Sequence, residues 1–219
     1  MIFLAVLAAL AINPATSECR GLQQCVPIKG PWVVVPVGHA VPRPQVQFEL
    51  TCPRGYVVGG IDAELTDRAI DVAFLATSGS PVSPGKTTSR TIVFVGTYVG
   101  TGASAPTFRP HAGCVPTSGG GRRTPTAVGA VAPPGAPLVR HTKTLPVDAA
   151  RQITVACAPA EHLVATNVAR AFDTTSPPSA TLVVRLTATS HVTADRIVVV
   201  AHGAPHAVVQ VTAICAGGR

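Results

Sequence analysis

The six cysteines of this 219-residue chain follow a pattern that repeats along the sequence. Cys52 lies 62 residues before Cys114, and Cys157 lies 58 residues before Cys215. The neighbouring residues repeat as well. PWV and PLV precede the first cysteine of each pair at similar distances. TIVFV in the first half is similar to RIVVV in the second. We therefore predict an internal repeat of two tandem units, each clipped by one disulfide.

The repeat also predicts how all six cysteines are joined. Six cysteines permit 15 pairings. The repeat selects one of them: Cys19–Cys25, Cys52–Cys114 and Cys157–Cys215. Three disulfides indicate an oxidising compartment. Because the chain has no CxxC motif and no histidine at finger-like spacing from a cysteine pair, we predict no metal site and no cofactor.

The N-terminus has the character of an export signal. Residues 2–11, IFLAVLAALA, form an apolar run of the length of a signal-peptide core, which is too short to span a bilayer. Ala9 and Ala11 provide one small-x-small cleavage option, and Ala15 and Ser17 provide another. We predict a protein that is secreted or held in the cell envelope, without a membrane span. The alternative is that the run forms a first core strand.

The composition excludes several classes of protein. The chain is 47% hydrophobic and only 12% charged, which excludes a disordered tail-like protein. The net charge is +7, but the 17 basic residues are scattered, and Arg122–Arg123 is their only adjacent pair. This spacing excludes a nucleic-acid-binding patch. An extracellular or cell-wall polyanion is the partner that the charge suggests, although solubility explains the charge equally well.

The sequence predicts an all-β fold of sandwich-like units. In QVQFELTC, residues 45–52, apolar and polar side chains alternate as in a half-buried strand, and residues 152–157 repeat this pattern. Further strands are predicted at 56–65, 70–76, 91–99, 163–172, 181–189, 196–201 and 207–214. The 21 prolines and 20 glycines oppose long helices. A helix over 62–76 is the alternative to two strands joined by a turn at 66–68.

These patterns divide the chain into five segments. We predict a signal peptide at 1–17, an N-terminal loop with the short disulfide at 18–30, a first β unit at 31–116, a Gly/Pro-rich linker at 117–136 and a second β unit at 137–219. The linker contains three consecutive glycines and several prolines, which oppose regular sheet pairing.

One segment resembles a known group of domains. CPRGYVVGG, residues 52–60, and VQVTAICAGG, residues 209–218, are similar to the opening (CPxGxxVxGG) and the closing (VTAxxxCA) of uncharacterised secreted bacterial β domains of the actinobacterial type, although this chain has one residue between VTA and CA. The resemblance implies an extracellular β fold and assigns no catalytic residues. In physical terms, Gly59 and Gly60 predict a bulge or the close approach of another backbone.

The candidate ligand-binding residues come from an acidic cluster and a histidine. Asp62, Glu64 and Asp71 belong to IDAELTDRAID, and Asp62 and Glu64 share one face of a strand. His111 lies three residues before a disulfide cysteine. The two carboxylates on one face are compatible with a paired-carboxylate site or a calcium site. The alternative for the acidic residues is a solvated strand face and turn.

Three functions remain open at this level. The leading prediction is a non-enzymatic secreted protein for surface or cell-envelope recognition, or a structural extracellular module. The alternative is a secreted hydrolase with a site near Asp62, Glu64 and His111. A third is a protease inhibitor that presents the proline-stiffened loop at 79–86. A turn between His202 and His206 leaves a metal site there as a further alternative.

Overall fold

The structure is a computed structural model that describes residues 17–22, 24–76, 90–102, 105–117 and 138–217. It begins with a 3-10 turn, Ser17–Cys19. The strands are β1 (Val26–Lys29), β2 (Trp32–Val34), β3 (Gln45–Thr51), β4 (Tyr56–Leu65), β5 (Ile70–Ala76), β6 (Thr91–Tyr98), β7 (Thr107–Pro116), β8 (Val139–Pro146), β9 (Arg151–Ala156), β10 (Glu161–Phe172), β11 (Thr187–Val192), β12 (Arg196–His202) and β13 (Ala207–Gly217). One short helix, α1 (Ala180–Arg185), precedes β11. The predicted all-β class is confirmed. The export signal up to residue 16, the linker from residue 118 and the loop at 79–86 lie outside the described residues.

The largest sheet contains strands from both halves of the chain. Its antiparallel order is β4, β7, β1 with β2, β10, β13 and β8. One edge of β7 pairs with β4, while the other edge pairs first with β1 and then with β2. β2 also pairs with the end of β10, where Val33 lies opposite Ala171 and Trp32 opposite Phe172. The short strand β2 therefore joins the two halves through backbone hydrogen bonds.

Two three-stranded sheets complete the fold, and each covers one half of the large sheet. The order β3, β6, β5 lies over the first half, and the order β11, β12, β9 lies over the second. The first core contains Phe48, Phe94 and Phe108, and the second contains Phe172 and Ile197. Each core is thus closed between two sheet layers, as expected for sandwich-like packing.

The two halves share one pairing scheme. β4 pairs with β7 as β10 pairs with β13, and the strands of the small sheets correspond in the same order. Each first strand of these pairs contains a bulge at the same position, between Val58 and Gly60 in β4 and between Leu163 and Ala165 in β10. The shared scheme is consistent with two units of one kind. Their origin by duplication stays a prediction.

The predicted disulfide pairing is confirmed for all three bridges. Cys52 follows β3 and is joined to Cys114 on β7, so this bond connects the two layers of the first half. Cys157 and Cys215 connect β9 and β13 in the second half in the same way. The third bond, between Cys19 and Cys25, closes the N-terminal segment.

Two sequence-based boundaries are wrong. The segment at 18–30, predicted as a loop, contributes β1, in which Val26 lies opposite Cys114, just as Val139 lies opposite Cys215. The strand predicted at 181–189 begins instead as helix α1. The Ser179 hydroxyl accepts a hydrogen bond from the Leu182 N–H at 3.2 Å, and this N-cap starts a helical turn. By contrast, the two strands with a turn in the region 62–76 are confirmed.

Candidate functional site

The structure brings three of the four candidate residues together on the outer face of β4 and β7. Asp62 lies directly opposite His111 in the strand register. The Glu64 carboxylate oxygen Oε1 lies 3.2 Å from His111 Nε2. Asp71 lies elsewhere, exposed on β5 in the small sheet of the first half. The predicted proximity of Asp62, Glu64 and His111 is present, and Asp71 lies apart from them; ligand binding by these residues stays a prediction.

The N-terminal segment covers this cluster. The Ser17 backbone N–H and hydroxyl donate to Asp62 Oδ2 at 2.7 and 2.9 Å. Glu18 is buried, and its Oε1 lies 3.7 Å from His111 Nδ1. The imidazole of His111 is thus enclosed between two carboxylates, and the residue is only 4% exposed.

Two glycines make this close contact possible. A Cβ atom at Gly60 or at Gly113 would overlap the Glu18 carbonyl oxygen. Gly60, the last glycine of the CPRGYVVGG segment, is therefore required because the N-terminal backbone passes directly over the sheet at this position. Both consequences predicted from the glycine pair, a bulge and a close backbone approach, are confirmed. The equivalent of Gly60 in the second half is Ala165, which is exposed.

The hydrogen bonds at Asp62 control its ionisation. Partial burial raises the pKa of Asp62, but the hydrogen bonds from Ser17 and Ala63 and the charge of His111 outweigh burial and lower the pKa below its usual value. Asp62 is therefore held as a carboxylate by the N-terminal segment. These contacts fasten the N-terminal segment to the sheet. The imidazole of His111, which a hydrolase would use here as acid or base, is enclosed beneath it.

A cleft beside the junction of the two halves is the second candidate site. It consists of two adjoining cavities of about 540 and 320 Å³, both of which are lined by Asp173 and Val208. The larger cavity is also lined by Asp148 and His206, and the smaller one by Lys29. Each of these residues lies at or beside the end of a strand. The larger cavity is lined by the second half, and the smaller one by residues of both halves.

The cleft contains unpaired carboxylates. The structure describes all ten acidic residues of the chain, and seven of them form a hydrogen bond or an ion pair through their side chains. Of the other three, Asp148 and Asp173 line the larger cavity, and only Asp71 lies outside it. The cleft therefore concentrates the carboxylates that the described part of the fold leaves without a partner.

His206 extends this polar lining in a strained conformation. Its φ is 60°, and among the described residues it is the one residue other than glycine that has a left-handed backbone conformation. Its carbonyl accepts a hydrogen bond from the Asp173 N–H at 2.9 Å, and the Ala207 N–H donates to Ala204 at 3.0 Å. The turn predicted between His202 and His206 is present. Strain of this kind is frequent at functional sites.

The structure offers one arrangement that resembles a metal site, in the second half. Within the described residues, the ligand atoms of His141, Glu161 and Cys215 lie within 4.8 Å of one another. Cys215 is in a disulfide, so it provides no thiolate. His141 Nε2 and Glu161 Oε2 form an ion pair at 2.6 Å. The Ala158 N–H and His141 lower the pKa of Glu161 below its usual value. The contacts are those of an ion pair, and they provide no ligand set for a metal.

Sequence reasoning missed Asp148 and Asp173 because each is an isolated acidic residue in turn-like text. The available signal was their position directly after a predicted strand or apolar run, since side chains at strand ends can meet at one edge of a fold.

In the described residues no helix has both the length and the apolar character needed to cross a membrane. Comparison with known protein families, with curated proteins and with solved structures finds no match for this chain.

Proposed function

We propose that this chain is an extracellular recognition protein that binds an amine-bearing, chain-like ligand in this cleft, with the amine in the larger cavity. The observation that supports the proposal is the pair of unpaired carboxylates, Asp148 and Asp173, in the larger cavity. Ammonium groups are the natural partners of such carboxylates, because a charge-assisted hydrogen bond is stronger than a neutral one.

The charge of the whole chain makes this pair informative. A protein with a net charge of +7 repels cations at long range. Most of its carboxylates are already engaged by neighbouring groups, as Glu49 is by Arg140 at 2.8 Å. A cationic ligand is therefore attracted to the surface where free carboxylates gather, which is the cleft. The apolar rings of Pro146 and Pro205 beside them are suited to the aliphatic part of such a chain.

The junction between the halves holds the smaller cavity of the cleft in a fixed shape. The outer edge of β3 is capped by side-chain amides from the second half. Asn167 exchanges two hydrogen bonds with the backbone of Gln47 at 2.6 and 3.0 Å. Gln210 does the same with the backbone of Glu49 at 2.6 and 3.0 Å. A preformed cleft reduces the entropic cost of binding.

The extracellular location is supported by the three disulfides, which are typical of proteins from oxidising compartments. The resemblance to secreted bacterial β domains agrees with it and stays a prediction. Recognition at a cell surface or cell envelope is the role that we propose for this location. The net charge also suggests a polyanionic partner, and binding to a sulfated polysaccharide alone would identify one.

The test is a binding screen with three classes of probe: lysine-containing peptides, amino-sugar oligosaccharides and a sulfated polysaccharide. We expect binding to one of the two amine-bearing classes, and the class that binds identifies the source of the amine. The affinity is then measured by calorimetry for the wild type and for the double variant Asp148→Asn, Asp173→Asn. Loss of both carboxylates should weaken binding by about tenfold or more, which corresponds to about 1.4 kcal/mol.

Asp71→Asn is the matched control for this double variant. It removes a carboxylate that is also unpaired and exposed but lies on β5, away from the cleft. We expect it to bind as the wild type does. Equal losses in the control and in the cleft variant, or binding to the sulfated polysaccharide alone, would overturn the proposal.

A further inference from the structure

The first described residue of the chain is tightly engaged. Ser17 contributes two donors to one carboxylate oxygen of Asp62, from its backbone N–H at 2.7 Å and from its hydroxyl at 2.9 Å. Its carbonyl accepts a hydrogen bond from the Arg20 N–H at 2.9 Å, which closes the 3-10 turn over the sheet. All three of its polar groups therefore bind the rest of the fold.

The sequence provides two options for removal of an export signal, and they differ in what happens to Ser17. Cleavage after Ala11 leaves Ser17 inside the mature chain. Cleavage after Ser17 itself, with Ala15 as the other small residue, removes it. We propose that processing occurs N-terminal to Ser17, so that the mature protein keeps Ser17 and uses it to fasten its N-terminal segment through Asp62.

The physical argument is that cleavage after Ser17 would dismantle the contact. Asp62 would lose both donors and keep only the Ala63 N–H at 2.8 Å. Glu18 would become the N-terminal residue. It would then carry a charged amino group, although its own carbonyl packs closely against Gly60 and Gly113. The 3-10 turn would also lose its first carbonyl. Retention of Ser17 preserves all of these contacts.

The inference rests on the proposed extracellular location, and its first test is independent of the cleft. The full 219-residue chain is expressed in a secreting host, and the N-terminus of the exported protein is determined by intact mass and N-terminal sequencing. We expect the mature chain to begin upstream of Ser17, at Ile12 if cleavage follows Ala11. A mature chain that begins at Glu18 or later overturns the inference, as does a chain that keeps Met1. Neither result depends on whether an amine-bearing probe binds.

The second test measures whether Ser17 fastens the segment. Ser17→Ala removes the hydroxyl donor, and Ser17→Pro removes the backbone N–H and the hydroxyl together. We expect Tm to fall in the order wild type, Ser17→Ala, Ser17→Pro, with a total decrease of about 4–8 °C for a chain of this size. In the presence of Asp62→Ala, Ser17→Pro should change Tm much less, because the acceptor of both hydrogen bonds is already absent. A Ser17→Pro variant as stable as the wild type, or an unchanged effect in the Asp62→Ala background, would overturn the role of Ser17.

Discussion

Replacing Gly60 with alanine is a direct perturbation of the contact between the N-terminal segment and the sheet. The added Cβ would overlap the Glu18 carbonyl oxygen, which is backbone and therefore cannot rotate away. Either β4 or the turn at Ser17–Cys19 has to move. The turn is the freer of the two, because β4 is paired along its length with β7. We expect the segment to lift from the sheet.

The structure indicates the size of the effect. Lifting the segment breaks the two hydrogen bonds from Ser17 to Asp62 and separates Glu18 from His111. A hydrogen bond to a charged group contributes about 1.5–3 kcal/mol. Asp62 is partly exposed, and solvent weakens its contribution, so the lower end of the range applies. We expect Gly60→Ala to reduce the free energy of unfolding by roughly 2–3 kcal/mol, which lowers Tm by about 4–12 °C.

Urea unfolding followed by circular dichroism measures the stability, and limited trypsin digestion at Arg20 measures release of the segment. Ala165→Gly is the control, because it makes the reverse exchange at the equivalent bulge position of the second half, where the alanine is exposed. We expect it to change stability by no more than about 1 kcal/mol. If Gly60→Ala retained the stability and the trypsin resistance of the wild type, the proposed packing of Glu18 over Gly60 would be wrong.

Three further results are expected. Because folding lowers the pKa of Asp62, its stabilisation is complete above the unfolded value of about 3.9 and is lost as the pH falls through the folded pKa. The stability difference between wild type and Asp62→Asn in urea should therefore be present at pH 7 and vanish in strong acid. Gln210→Ala should destabilise the protein by roughly 2–3 kcal/mol in urea unfolding, because it leaves the β3 edge at Glu49 without its partner. His206→Gly should stabilise the fold by about 1 kcal/mol in the same assay, since it relieves a positive φ.

The strands that the sequence predicted are those with alternating or continuous apolar residues. β7 was missed because TFRPHAGCVP contains two prolines, a glycine and two basic side chains, which usually mark a loop. Pro110 is tolerated in this central strand because the neighbouring edge changes there from β1 to β2. The Pro110 carbonyl accepts a hydrogen bond from the Gly30 N–H at 2.8 Å. Proline has no backbone N–H, and this missing donor lies at the gap between β1 and β2, where no strand needs it.

The candidate sites were predictable to different degrees. Asp62 and Glu64 share a strand face, so their proximity follows from the period of two. Their contact with His111 depends on the register of β4 against β7, which spans 49 residues and leaves no local trace in the sequence. The smaller cavity of the cleft depends on how β2 joins the two halves, which involves only two residue pairs. No periodic pattern in one sequence specifies such a contact.

The central claim is that the cleft with Asp148 and Asp173 in its larger cavity is the binding site. The most direct measurement is a nuclear magnetic resonance titration of the ¹⁵N-labelled protein with the best amine-bearing probe from the binding screen. We predict that the largest amide shift changes fall at residues 147–148, 173 and 206–208, around the larger cavity. Changes concentrated on the exposed strand β11, or spread over the surface without a maximum at the cleft, would contradict the account.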